Sequence, residues 1–354
     1  MAYTTINKPT DYFNTVLYTG NGTDGRTITG VGFQPDWVWI KDRSVARSHV
    51  VQDSVRGFND GNKVLRTNGT DSESGTDNDV FGYVGNTNSD GYTLEDGTTD
   101  GRYVNNNTET YASWNWLAGG TGVSNTDGSI TSTVSANTTS GFSIVSYTGT
   151  GSNATVGHGL GVAPKIVIIK DRDAATDWAI YHGSLGATKF IELNTTVASQ
   201  TNNTAWNDTE PTSSVFSIGT GGIVNTSSRK YIAYCFAEIK GYSKFGSYTG
   251  NGDADGSFIY TGFKPAFVMI KRTSGVNSWN MIDNKREGYN PQNDLLFPDS
   301  NNDESDVTDN DILSNGFKLR TTGSGRNASG ETYIFMAFAE NPLVGTNNIP
   351  ATAR

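Results

Sequence analysis

The sequence predicts an all-β fold of tandem β-sandwich repeats, and three observations predict it. The first is composition. The chain of 354 residues carries 42 Gly, only 9 Pro, 18% charged and 34% hydrophobic residues. Its 16 Tyr, 16 Phe and 7 Trp separate it from disordered chains, which are aromatic-poor and highly charged. Gly, Asn, Thr, Ser and Asp make up much of the rest, as suits turns and strand edges. The second is an internal repeat, and the third is the run of unbroken apolar strands inside it.

Each repeat opens on a strand and a tight turn: Tyr18-Thr-Gly-Asn-Gly22, Tyr147-Thr-Gly-Thr-Gly151 and Tyr248-Thr-Gly-Asn-Gly252. Gly supplies the positive φ of such turns, and a hairpin is expected. A glycine-rich phosphate loop would need a helix to follow, whereas a strand signal follows every copy. Gly157-His-Gly-Leu-Gly161 is set aside on the same ground.

The second block is Gly32-Phe-Gln-Pro35-Asp-Trp-Val-Trp-Ile-Lys41, repeated at Gly161–Lys170 and Gly262–Lys271. Tyr18 and Pro35, Tyr147 and Pro164, Tyr248 and Pro265 are equally spaced. Its apolar run does not alternate, so it reads as a strand covered on both faces, with Pro at its start. His49, Trp178 and Trp279 stand at one repeat position, each opening a short apolar run. The two Trp are expected in the core. The closing strands are Tyr111–Trp116, Tyr231–Phe236 and Tyr333–Phe338, rich in aromatics and read as covered on both faces like the strand before.

The expected division is repeat one at 12–118, a Gly/Ser/Thr linker at 119–140, repeat two at 141–241, repeat three at 242–342 and a tail at 343–354. Repeats two and three are expected to pack closely, with repeat one held more loosely. The doubly apolar strands Phe267–Ile270 and Ile334–Phe338 ask for more cover than one small sandwich provides. A homo-oligomer, with a trimer favoured, is the expectation.

Functional chemistry is sparse. A net charge of −10, without basic clusters, disfavours nucleic acid. No apolar stretch is long enough for a membrane helix, so no membrane insertion is expected. Met1-Ala-Tyr-Thr-Thr-Ile-Asn-Lys8 lacks an apolar signal core, so synthesis in a cytoplasm without Sec export is expected. The single Cys235 rules out an intrachain disulfide and reads as a small buried hydrophobe. His49, His158 and His182 share no metal-type spacing and are expected to be structural. Two acidic loops, Asp71–Asp79 and Asp303–Asp311, do not match the EF-hand pattern and are read as solvated. No catalytic, cofactor-binding or metal-binding residue is assigned, no cofactor is expected, and the chain is not read as an enzyme.

The opening Thr4-Thr-Ile-Asn-Lys-Pro9-Thr-Asp-Tyr-Phe13 resembles a family of tailed-phage virion proteins, many of them marine. The two repeat blocks and the Tyr231-Ile-Ala-Tyr-Cys-Phe-Ala-Glu238 strand share that likeness. It covers almost the whole chain. The resemblance implies a sandwich of jelly-roll or lectin-like type, displayed on the virion as tail fibre, knob or head decoration and released by lysis. Other virion proteins and a host surface glycan are the implied partners. A carbohydrate-binding adhesin module is the alternative, and a glycan-degrading enzyme ranks below it. Repeat one departs from the pattern at His49 and at Asn115-Trp116, which suggests specialisation.

Overall fold

The computed structural model describes residues 3–345, and the last part of the expected tail, 346–354, lies outside them. Strands dominate the described residues. The α-helical pieces there are single turns at Asn78–Phe81, Asn203–Trp206 and Gly222–Asn225. The strand pairs run antiparallel, apart from one isolated parallel bridge between Ile130 and Val156, and the all-β expectation holds.

Each repeat builds the same four-strand arrangement, which in unit 2 forms the middle of an eight-stranded sheet. The opening strand pairs the closing strand, which pairs the Lys-ended strand, which pairs a short outer strand. In unit 1 these are Phe13–Thr19, Thr110–Trp116, Trp37–Asp42 and Val50–Asp53. In unit 2 they are Phe142–Thr148, Lys230–Phe236, Ile166–Asp171 and Ala179–His182. In unit 3 they are Ser243–Thr249, Thr332–Pro342, Phe263–Arg272 and Asn280–Asp283. Registers correspond as well: Tyr18 faces Tyr111, Tyr147 faces Tyr231 and Tyr248 faces Tyr333, with ring centroids 5.1, 5.2 and 5.0 Å apart.

A smaller sheet packs on the outer face of each. In unit 1 it is Arg26–Ile28, Gly91–Glu95 and Tyr83–Asn88; in unit 2, Ala154–Gly157 and Val215–Ile218. In unit 3 it has four strands, Phe258–Tyr260, Gly316–Leu319, Ser305–Leu313 and Gln292–Leu295. The glycine-rich turn therefore makes no hairpin. It carries the chain from the large sheet to the small one. Two glycines per copy make the corner. A Cβ on Gly20, Gly149 or Gly250 would fall 1.8–2.3 Å from a backbone oxygen, while Gly22, Gly151 and Gly252 take φ of +64°, +74° and +71°.

The unbroken apolar strands feed two cores at once. Alternate residues point to opposite faces. Val38 and Ile40 enter unit 1's own sandwich core, as Val167 and Ile169 do in unit 2 and Val268 and Ile270 in unit 3. Trp37 and Trp39, Ile166 and Ile168, Phe267 and Met269 all enter one shared central core instead. At its middle Trp116, Phe236 and Phe338, equivalent residues of the closing strands, form a triangle with centroid separations of 5.7–6.5 Å. The second cover of these strands thus comes from the other two units of the same chain. Both faces of these strands are therefore covered within one molecule.

Three expectations are corrected here. Repeat one is not loosely held, because its Phe13, Trp37, Trp114 and Trp116 belong to the shared core. The segment 119–140 is not a free linker, because Ser132–Asn137 pairs Phe142–Thr148 and Val123–Asn125 adds beyond it. Its Thr, Ser and Val residues serve an edge strand. Pro164 and Pro35 stand just ahead of their strands, whereas in unit 3 the strand begins at Phe263 and Pro265 sits in it at an irregularity of register. Trp178 and Trp279 are buried as expected.

Candidate functional site

The units meet head to tail, and the three seams between them use equivalent positions. In the first seam, unit 1 to unit 2, Trp178 Nε1 donates to the Arg66 carbonyl at 2.9 Å and Lys170 Nζ to the Thr70 carbonyl at 3.0 Å. In the second, unit 2 to unit 3, Trp279 Nε1 donates to Glu192 O at 2.8 Å and Lys271 Nζ to Thr196 O at 2.9 Å. In the third, unit 3 back to unit 1, His49 Nε2 takes the Trp role at 3.0 Å from Phe297 O. The backbone repeats the pattern: Glu73, Ser199 and Glu304 donate their N–H to the carbonyls of Arg172, Thr273 and Arg43. A heterologous interface used three times has closed into a ring.

Burial of the three strand-end lysines lowers their pKa, to about 8 for Lys41, Lys170 and Lys271, against opposing acidic neighbours. His49 is held neutral, its pKa pushed well below the ordinary value by burial and then by the Lys41 charge. His158 and His182 are lowered by burial too, and each bonds a backbone carbonyl, Thr212 and Phe335. Cys235 is buried and its thiol pKa is pushed up. Among the described residues no group of three or more His, Cys, Asp or Glu is placed to hold a metal.

Two seams carry a buried ion network. In the first, Arg56 Nε binds Asp53 at 2.5 Å and its Nη1 binds Glu73 at 3.2 Å. Glu73 also binds Arg172 at 2.8 Å, and Tyr234 OH donates to Asp53 at 2.7 Å. The third seam has the same design: Arg286 with Asp283 and Glu304 at 2.6 and 2.8 Å, Glu304 with Arg43 at 2.6 Å, and Trp114 Nε1 on Asp283 at 3.0 Å. Glu73 and Glu304 come from the two acidic loops read as solvated, and that reading fails for these two side chains, while Asp303 and Asp306 are exposed. Their side chains are largely enclosed by guanidinium partners from two units.

The second seam lacks this network. His182, Leu185 and Ser199 stand where Asp, Arg and Glu stand in the other seams, and Thr273 stands in place of Arg43 and Arg172. The hydroxyl of Ser199 donates to Thr273 O at 3.1 Å, and Thr273 bonds Thr332. Small side chains in place of long ones leave a cleft of about 470 Å³. Its lining includes Ser184, Ser199, Ser247, Thr249, Thr273 and Ser274, with Leu185, Ile334, Tyr248 and Tyr333 as its less polar part and Lys189 as its one charged group. Sequence reasoning missed this place. The signal was present in Thr273, since Arg43 and Arg172 each sit two positions past the aligned lysine.

A second missed set is structural. Asn105, Asn225 and Asn327 are buried behind the glycine-rich corners. Each takes an N–H of its corner on Oδ1, from Asn21, Thr150 and Asn251, and donates Nδ2 to corner carbonyls. The interval to Tyr111, Tyr231 and Tyr333 is the same in all three, so they belong to the repeat pattern.

The chain belongs to the family described as a domain of unknown function (DUF7483), whose model matches residues 8–342 and so takes in all three units. No curated protein matches the chain.

Proposed function

We propose that the protein is a non-catalytic structural component of a tailed-phage particle, displayed on its surface as fibre, knob or head decoration, and in contact with other virion proteins there. The observation that supports it most is the closed ring. One chain supplies a body with approximate three-fold symmetry, suited to the three-fold and trimeric positions of a particle, and its three units share one aromatic core. The resemblance of the repeated blocks to virion proteins points the same way. Electron microscopy of the intact particle tests it: density for the ring on head or tail is the expected result. Absence of the chain from purified, infectious particles overturns the reading. A second reading, a carbohydrate-binding adhesin module, is favoured by one feature, the hydroxyl-lined cleft of the second seam.

A further inference from the structure

We propose that the cleft between units 2 and 3 is a binding site for a saccharide unit. The cleft is a vacated position rather than a random gap in packing. In the first seam the same space holds the Arg172 guanidinium, which bonds Glu73 and also donates Nη1 to the Ser146 hydroxyl at 3.1 Å. Ser247 is the unit 3 counterpart of Ser146, one residue before the stacked Tyr. With Thr273 in place of arginine, Ser247 has no guanidinium at that position and lines the cleft. The carboxylate is gone as well, replaced by Ser199, so a cation is no longer the fitting guest.

The lining then selects the class of ligand. Serine and threonine hydroxyls donate and accept at once, the match for another polyhydroxyl compound. A phosphate or sulfate would call for clustered positive charge, and the cleft offers only Lys189, on the exposed rim. A mainly apolar ligand would call for a mostly hydrophobic lining, whereas here Leu185 and Ile334, with Tyr248 and Tyr333, stand among a larger number of hydroxyls, enough for the C–H face of a sugar ring. The volume lies within the roughly 300–1,000 Å³ of small-molecule sites. The site deepens the host-contact reading but does not rest on placement in a particle. A failed sugar assay leaves that placement standing, and absence from the particle leaves the cleft.

The test is saturation-transfer NMR on the full chain with a panel of neutral and acidic hexoses, N-acetylhexosamines and pentoses. Binding of at least one sugar at millimolar strength is expected. The double variant Ser199→Glu/Thr273→Arg rebuilds the ion pair of the other seams inside the cleft. It should weaken binding about tenfold or more, with an unchanged or raised melting temperature. Ser184→Phe, on the exposed rim, should do the same without touching the seam, and decides the matter if the double variant folds poorly. No transfer to any sugar of the panel, or binding undiminished in Ser184→Phe, overturns the proposal.

Discussion

His49 Nε2 lies 3.0 Å from the carbonyl oxygen of Phe297, in the place that an indole N–H fills in both other seams. Trp39 Nε1 donates to the other ring nitrogen at 2.8 Å, so Nδ1 is an acceptor and the proton sits on Nε2. Unit 1 thus keeps the seam contact with a smaller ring, and Trp39, larger than its counterparts Ile168 and Met269, fills the space beside it. Two such neutral, buried imidazoles stand in the seams, which ties the cohesion of the ring to pH.

His182 is the clearer case. Burial lowers its pKa to about 4, only partly opposed by the Phe335 carbonyl. On acidification the unfolded chain takes up a proton, near pH 6.5, that the folded chain refuses. The stability this group contributes is complete above pH 6.5 and is lost as the pH falls toward 4, about 3 kcal/mol in all. Denaturant unfolding at stepped pH checks this. His182→Gln, which keeps a donor for Phe335, should be less stable than the parent at pH 8, with the gap closing by pH 4.5.

Trp178 and Trp279 combine core packing with a seam bond. Truncation of either to Ala should cost about 3–5 kcal/mol. Trp178→Phe keeps most of the volume and orphans only the Arg66 carbonyl, so a cost of about 1–2 kcal/mol is expected. Equal costs for the two replacements would mean that the hydrogen bond, not the packing, holds the seam.

The ion network of the first seam should be strongly non-additive. Arg56→Leu leaves Asp53, whose side chain is fully buried, without its guanidinium, a loss of about 3–5 kcal/mol. Asp53→His/Arg56→Leu copies the His182–Leu185 pair of the second seam and removes the stranded charge. It should recover about 2 kcal/mol or more of that loss, as read in a double-mutant cycle.

A single unit should not fold alone. The fragment 141–241 would expose Phe142, Ile144, Ile166, Ile168, Tyr234 and Phe236 together, with other residues of its sheet's inner face such as Trp178 and Ile180. Circular dichroism of the fragment should show no cooperative transition, whereas the full chain should melt in one step seen alike by far-UV signal and Trp fluorescence. A fragment that melts cooperatively would mean that each sandwich is self-sufficient.

Much of the fold was legible because it is local. Equal spacing of Tyr18, Pro35 and Lys41 with their counterparts marked the units, and the run Ile166–Ile169 marked a strand covered twice. What covered it was not legible. Trp116, Phe236 and Phe338 meet across the whole chain, and no local pattern says whether the second cover is another unit or another molecule. The segment 119–140 misled because edge strands share their Thr, Ser and Gly content with linkers. The cleft was half legible. Thr273 aligns with Arg43 and Arg172 through the neighbouring lysines, but Ser199 lies in a loop whose length differs between units. Its match to Glu73 and Glu304 emerges only from the shared backbone bond to the next unit.

Having three seams on one polypeptide has a consequence for valency. A true homotrimer repeats every substitution three times, so it presents three identical clefts or none. Here the first and third seams keep their ion pairs while the second lacks them, so among the described residues each molecule offers this kind of seam cleft once. Grip on a polymeric ligand then scales with how many molecules are arrayed and how far apart they stand, not with the symmetry inside each. Dispersed in solution the protein would be a weak, monovalent binder; multiplied on a surface, the same cleft would hold by numbers.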